Sequence, residues 1–152
     1  MLKVGDIAPD FALESFDGPE TTLSELLGEE SLVVYFYPAD FSPVCTREAC
    51  ALRDRHDALR EVVILILGVS PQGQDSHKRF RESFNLPFAL LSDSSRKVID
   101  AFGVNGPLGF GVRRATFLLG SDRKIRARAV ADVFLRSHLD LIKAAIKGGS
   151  SD

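Results

Sequence analysis

The chain has 152 residues, 45% hydrophobic and 26% charged, with 12 Gly and 7 Pro, an average balance for a single soluble domain that excludes disordered and collagen-like classes. Its 19 Lys and Arg against 21 Asp and Glu leave a formal net charge of -2, which excludes a strongly basic binder of nucleic acid or anionic membrane. Cys 2 is too few for a stapled secreted scaffold, and Cys45 and Cys50 stand too close in sequence to close a large loop, so they read as chemical groups.

Residues 1–10 carry Asp6 and Pro9 with no basic start leading into an apolar stretch, so no secretory signal is visible. The longest apolar run, 62–69, falls far short of the roughly 20 residues that span a bilayer, and the expected location is cytoplasmic. Along the chain, Thr21 and Thr22 read as a short strand running into a helical turn, with Ser24 as its cap and Gly28 as its end. Residues 32–37 form an apolar, β-rich run that Pro38 stops. A helix over 46–60 follows, with Pro43 tolerated near its first turn and Ala49, Leu52 and Leu59 on one stripe.

Residues 61–69 repeat the buried-strand signature, and helical spacing resumes over 75–84 at His77, Phe80 and Phe84. A third strand is expected over 88–91, then a helix over 96–102, capped from 92–95 and closed by Gly103. Residues 115–119 and 124–130, joined by the turn 120–123, read as a hairpin, and Leu135, Leu139, Ile142 and Ile146 mark an amphipathic last helix. This alternation predicts an α/β fold, a central mixed β-sheet flanked by helices on both faces, as one domain over 1–147 with a flexible tail at 148–152.

The chemistry lies in Tyr37-Pro38-Ala39-Asp40-Phe41-Ser42-Pro43-Val44-Cys45, where a buried strand delivers a thiol to the first turn of a helix. Unpaired backbone N–H groups and the positive helix end favour the thiolate there. An ordinary thiol is only a few per cent ionised at pH 7, so complete ionisation gains at most ~30-fold, about 2 kcal/mol. Further acceleration must come from donors fixed where charge develops, such as the Ser42 hydroxyl, helix N–H groups and a guanidinium. If Cys45 and Cys50 share one helix, their Cα atoms lie about 8.7 Å apart and point ~140° from each other. A disulfide needs less than about 7 Å, so joining them requires at least one turn to unwind.

These residues resemble the peroxiredoxins, and within them the bacterioferritin-comigratory or Q type, with both cysteines in one helix. Pro38, Ser42 and Cys45 match the proline, Thr or Ser, then cysteine pattern, with Glu48 and Cys50 also in register. The likeness extends from residues 5–11 through 86–88 and 91–93 to 114–117 and weakens after Val130. One departure is Val44, where this type usually has glycine.

The resemblance implies a thioredoxin-like fold and thiol-dependent reduction of hydrogen peroxide and organic hydroperoxides, with no metal and no bound organic cofactor. It implies that the Cys45 thiolate attacks the peroxide and becomes sulfenic acid, that Arg114 and Ser42 hydrogen-bond the thiolate and the peroxide oxygens, and that Pro38 shields the pocket. Cys50 then condenses with the sulfenate to an intramolecular disulfide, recycled by thioredoxin or a similar dithiol protein. The implied assembly is a monomer, with a weak dimer as the alternative, and no nucleic acid or membrane as partner.

Other readings stand beside these. Cys50 alone would pass for a small buried hydrophobe, and Arg114 for a surface charge. His56, His77 and His138 lack zinc spacing with the cysteines and read as structural, His77 at a core edge. The glycines of 106–111 do not lie between a strand and a helix, so no nucleotide site is expected. Phe41, Phe110 and Phe134 could form an apolar collar or a contact surface. A general disulfide oxidoreductase would share the fold but normally uses Cys-x-x-Cys, absent here, and a non-enzymatic redox sensor is the alternative of another class.

Overall fold

The computed structural model of the chain describes residues 1–15, 18–28, 30–107 and 111–150. Its strands are β1 (Ala12–Ser15), β2 (Gly18–Thr22), β3 (Ser31–Phe36), β4 (Ile64–Ser70), β5 (Ala89–Ser92), β6 (Ala115–Leu119) and β7 (Ile125–Val130). The helices are α1 (Leu23–Leu27), α2 (Pro43–Asp54), α3 (His56–Glu61), α4 (Gln74–Phe84), α5 (Lys97–Phe102) and α6 (Arg136–Ser150). They surround a 7-stranded sheet of order β2-β1-β5-β4-β3-β6-β7, in which β3, β4 and β5 run parallel and the remaining pairings are antiparallel. The mixed α/β sandwich is therefore as expected. Among the described residues no helix is long and apolar enough to cross a membrane.

The central strand shows why the apolar runs read as buried on both faces. Leu32, Val34 and Phe36 of β3 point to one core with Leu23, Leu27, Ile99 and Phe102 of α1 and α5. Val33 and Tyr35, with Tyr37 beyond the strand end, point to the other core, with Ala49, Leu52, Leu59, Phe80 and Ile142 of α2, α3, α4 and α6. A period of two with helices on both sides leaves no polar face on β3. Gly68 of β4 makes room for this second core, because a Cβ there would lie 3.0 Å from the Tyr35 ring and 2.7 Å from Leu90 Cδ2.

Several local expectations are corrected. Ser24 is not the cap of α1. Thr22 is, accepting Glu25 N–H at 3.1 Å, while Ser24 Oγ donates to Asp10 Oδ2 at 2.5 Å. The single helix expected over 46–60 is two, because Arg55 takes φ -106 and ψ 2 and its N–H turns to Leu52 O at 3.1 Å, redirecting the chain while Leu52 and Leu59 still meet the same core. Helix α5 has no side-chain cap at Arg96. The expected cap from 92–95 is there in Asp93, whose Oδ2 accepts Ile99 N–H in the first turn at 2.7 Å. Strand β1 and the start of β2 had no sequence signal, and α6 runs through Ser150 into the segment read as a tail, whose residues 151 and 152 lie outside the described ones.

Candidate active site

Sheet topology brings the site together. Phe36, the last residue of β3, pairs with Ala115, the first of antiparallel β6, so the chain leaving β3 and the chain entering β6 meet at one edge. That edge holds the 37–45 turn on one side and Arg114 on the other.

Ser42 is the N-cap of α2 and Pro43 its first residue, and the first intrahelical bond is Thr46 N–H to Ser42 O at 2.8 Å. The N–H groups of Val44 and Cys45 therefore precede the helical ladder and face out from the positive end of a 12-residue helix. Cys45 is 1% exposed. Arg114 Nη2 donates to its Sγ at 3.2 Å across 69 positions of sequence. A guanidinium hydrogen bond and a helix end, in a site closed to water, both stabilise negative charge on that sulfur.

Arg114, 3% exposed, is held along its whole length. Nη1 donates to Glu48 Oε1 at 2.9 Å, Nε to the Asp132 carbonyl at 3.1 Å and the backbone N–H to Asp132 Oδ1 at 3.0 Å. Burial opposes its charge, but the facing Glu48 and Cys45 more than restore it and its pKa is raised. Glu48, one turn below Cys45 on the same helix face, is the opposite case. Burial pushes its carboxyl up to about 7 even though Arg114 pulls the other way. Its Oε2 has no hydrogen-bond partner.

Beyond Glu48, His138 of α6 donates from Nε2 to Ala131 O at 2.9 Å, while Nδ1 stands 2.7 Å from Thr116 Oγ1. Since the Ala131 carbonyl only accepts, Nε2 carries the proton of the neutral ring, in which Nδ1 takes the Thr116 hydroxyl proton. Burial first, and then Arg114, lower its pKa. The 3.7 Å approach of Nδ1 to Glu48 Oε2 is thus not an ion pair.

The sequence-predicted residues fall as follows. Cys45, Arg114 and Glu48 are in contact, and Pro38, half-buried, stands at the end of β3. Ser42 departs from its expected bond to the thiolate. Its one hydroxyl proton goes to Ala39 O at 3.2 Å, closing the turn, so service to a bound oxygen would need it to rotate. Cys45 and Cys50 are both free thiols in the unbroken α2, Cys50 half-buried. In an ideal helix that spacing is about 8.7 Å between Cα atoms, beyond disulfide reach. His77 lies deeper than a core edge, at 0% exposure. Of the proposed aromatic collar, Phe41 is 47% and Phe134 82% exposed, and Phe110 lies outside the described residues. Among the described residues there is no group of three or more His, Cys, Asp or Glu able to hold a metal ion.

Sequence reasoning missed Asp132 and Thr116 beside the site and read His138 as structural only. The hairpin register could have found the first: Ala115 pairs with Val130, so the residues flanking that pair, 113–114 and 131–132, must meet.

Comparison with known proteins gives the same picture. The sequence pattern of the AhpC/TSA family matches residues 4–128. Peroxiredoxin Bcp of Escherichia coli is 39% identical over 147 residues, 93% of each chain, and Peroxiredoxin Bcp of Bacillus subtilis is 39% identical over 130 residues, 82% of each. Among solved structures, peroxidoxin BcpB of Mycobacterium tuberculosis superposes with a TM-score of 0.90 at 34% identity, covering 97% of this chain and 98% of its own. Xanthomonas campestris Peroxiredoxin Q gives 0.82 at 30% identity, covering 91% and 90%. The chain belongs to the AhpC/TSA family, among the Bcp and Q peroxiredoxins with their thioredoxin-type fold, and is a thiol-dependent peroxidase.

Proposed function

We propose that Cys45 is the nucleophile, Cys50 its resolving partner, and Arg114 the group that stabilises charge on the reacting atoms. The observation that carries this reading is the 3.2 Å bond from Arg114 Nη2 to Cys45 Sγ at the N-terminal turn of α2. The Cys45 thiolate attacks the terminal oxygen of a peroxide. An S–O bond forms, the O–O bond breaks, and the leaving alkoxide or hydroxide takes up a proton to give alcohol or water. Arg114 is placed to follow charge from sulfur to oxygen, Ser42 to turn its hydroxyl toward the peroxide, and Pro38 to limit water at the edge of the site.

The Cys50 thiolate then attacks the sulfenic sulfur, forming the S–S bond as the hydroxyl leaves with a proton as water. A dithiol protein of the thioredoxin type supplies two electrons by thiol exchange and restores both thiols. Hydrogen peroxide and organic hydroperoxides are the substrates, and the reducing cytoplasm suits such a cycle. The working unit of this reading is a monomer, with a weak dimer as the alternative.

Mass spectrometry tests the reading. One equivalent of peroxide should convert reduced protein to the Cys45–Cys50 disulfide, with loss of two hydrogens, while Cys50→Ser should stop with one added oxygen on Cys45. Thiols left unreacted in the wild type would overturn it. The chain has Trp 0, so mass or coupled turnover replaces a tryptophan-fluorescence readout.

A further inference from the structure

The turn that delivers Cys45 is strained at its tip and fastened one residue earlier. Phe41 has φ 65, a left-handed conformation disfavoured for a bulky residue, which persists only where neighbours enforce it. Asp40 provides that enforcement. Its Oδ1 accepts the Tyr37 hydroxyl at 2.7 Å, and its Oδ2 accepts Ser76 Oγ at 2.7 Å and faces His77 Nδ1 at 2.8 Å. The side chains of His77 and Asp40 are both 0% exposed. The other ring nitrogen, Nε2, faces the Leu91 carbonyl at 3.2 Å.

The network therefore ties the turn to the first turn of α4 and to β5. Among the described residues, every side-chain hydrogen bond joining residues 38–44 to the rest of the fold runs through Asp40, since Ser42 Oγ bonds within the turn. The Phe41 ring adds apolar contact with Phe80 and Phe84 of α4, at centroid distances of 5.1 and 6.1 Å. Neither Asp40 nor His77 is bonded to Cys45 or to Arg114.

Cys45 and Cys50 cannot bond while α2 is wound, so at least one turn there must open. We propose that Asp40 and His77 form a latch holding residues 38–43, and with them Cys45, in the peroxide-reactive fold, and that its release lets the first turn of α2 unwind for the disulfide. The inference rests on the assignment of Cys45 as nucleophile and Cys50 as resolver. Both residues of the latch are positioning residues, acting through the balance between wound and unwound states.

Weakening the latch has opposite effects on two steps. The attack on peroxide, which needs the wound site, slows, and disulfide formation, which needs the unwound one, speeds up. The sulfenic acid then survives more briefly, and a second peroxide, which would add one oxygen to give sulfinic acid while being reduced to alcohol or water, finds less of it.

The test compares wild type with His77→Phe, which keeps a ring without donors, His77→Asn, which keeps a donor toward Asp40, and Ser76→Ala. Amide hydrogen exchange over residues 46–49 of the reduced protein reads the latch without any peroxide, and quenched-flow mass spectrometry reads disulfide formation and the peroxide level giving half-conversion to sulfinic acid. His77→Phe should speed exchange there by about ten-fold or more, with disulfide formation faster and the sulfinic midpoint higher by a similar factor. His77→Asn should recover most of the wild-type behaviour, and Ser76→Ala should move the same way by about two- to five-fold.

Exchange and midpoint within about two-fold of wild type in folded His77→Phe, or in Ser76→Ala should the former not fold, would overturn the latch. So would faster exchange spread evenly through β3 and β4. A wild type that forms no Cys45–Cys50 disulfide would sink the assignment of the two cysteines instead, and the exchange comparison would still judge the latch.

Discussion

Two buried polar networks flank the start of α2, and they are finished to different degrees. Around Asp40, both carboxylate oxygens have partners, from Tyr37, Ser76 and His77, and the opposite ring nitrogen of His77 has the Leu91 carbonyl. Around Arg114 all three guanidinium nitrogens have partners, yet among the described residues Glu48 Oε2 and the buried Tyr35 hydroxyl have no hydrogen-bond partner. Buried polar atoms are satisfied almost everywhere in folded proteins, so orphans collected under a thiol are informative. The hydroxyl proton of Tyr35 is held more tightly than usual by burial and then by the Glu48 and Cys45 charges, while Glu48 itself is pushed up to about 7 by burial. The satisfied network fixes a shape. The other holds the Arg114 cation against the reacting sulfur, over groups that burial drives toward their neutral forms.

Breaking the second network should give the largest effect. Arg114→Ala removes the donor to Cys45 and leaves Glu48 buried without its cation, and kcat/KM for peroxide should fall about 10²- to 10³-fold, the loss typical of one well-placed donor to developing charge. Arg114→Lys should recover only a small part, because a single ammonium cannot serve Cys45, Glu48 and the Asp132 carbonyl together. Steady-state kinetics with a thioredoxin-type reductant decide it, and a loss under about five-fold in Arg114→Ala would contradict the role. Next in size, Asp132→Ala leaves the carbonyl that takes Arg114 Nε but deletes the carboxylate that takes the Arg114 N–H and Arg113 Nε. A drop of about ten-fold in kcat/KM with little change in melting temperature is expected.

What could be read from the sequence followed the physics of each signal. The runs over β3 and β4 are apolar because both sheet faces are covered, and the hairpin has a polar turn between the apolar β6 and the alternating β7, so all four were legible. Strand β1 and the start of β2, in ALES and GPETT, are short and polar and are fixed by pairing with each other and, for β1, with β5, so that only Thr21 and Thr22 at the end of β2 carried a local signal. Cys45 was legible because its helix entry is local. Arg114 came from family register alone, since an arginine before a strand carries no signal of its own. His77 and His138 looked structural because their partners Asp40 and Thr116 lie 37 and 22 positions away.

A stability measurement sharpens the contrast between the networks. The Glu48 carboxyl, moved from 4.5 to about 7, binds its proton more tightly in the folded than in the unfolded chain. Its contribution to stability therefore falls as pH rises from about 4.5 to about 7 and stays at its lowest above that. His138 runs the other way. With its pKa lowered from 6.5, the unfolded chain holds the proton longer, so its contribution rises with pH toward 6.5. Subtracting wild type from Glu48→Gln removes the His138 effect, and the difference in unfolding free energy should grow by on the order of 3 kcal/mol from about pH 4.5 to about 7, then level off. Denaturant melts at closely spaced pH values provide the curve, and a flat difference would show that Glu48 is ionised in the fold throughout.

The smallest effect concerns Val44, where the Bcp and Q type usually has glycine. Val44 is the second residue of α2, half-buried, directly between the latched turn and Cys45. In a helix, glycine is less favourable than valine by only about 0.3–0.5 kcal/mol, near a factor of two in a wound-to-unwound balance. Glycine also gains more freedom than valine once the turn opens. Val44→Gly should therefore form the Cys45–Cys50 disulfide about two-fold faster, with the rate of sulfenic acid formation unchanged, because Arg114, Glu48 and the Asp40 network are untouched. Quenched-flow mass spectrometry separates the two steps. Slower disulfide formation would mean that the valine side chain guides the unwound segment toward Cys50, outweighing the backbone preference of the first turn.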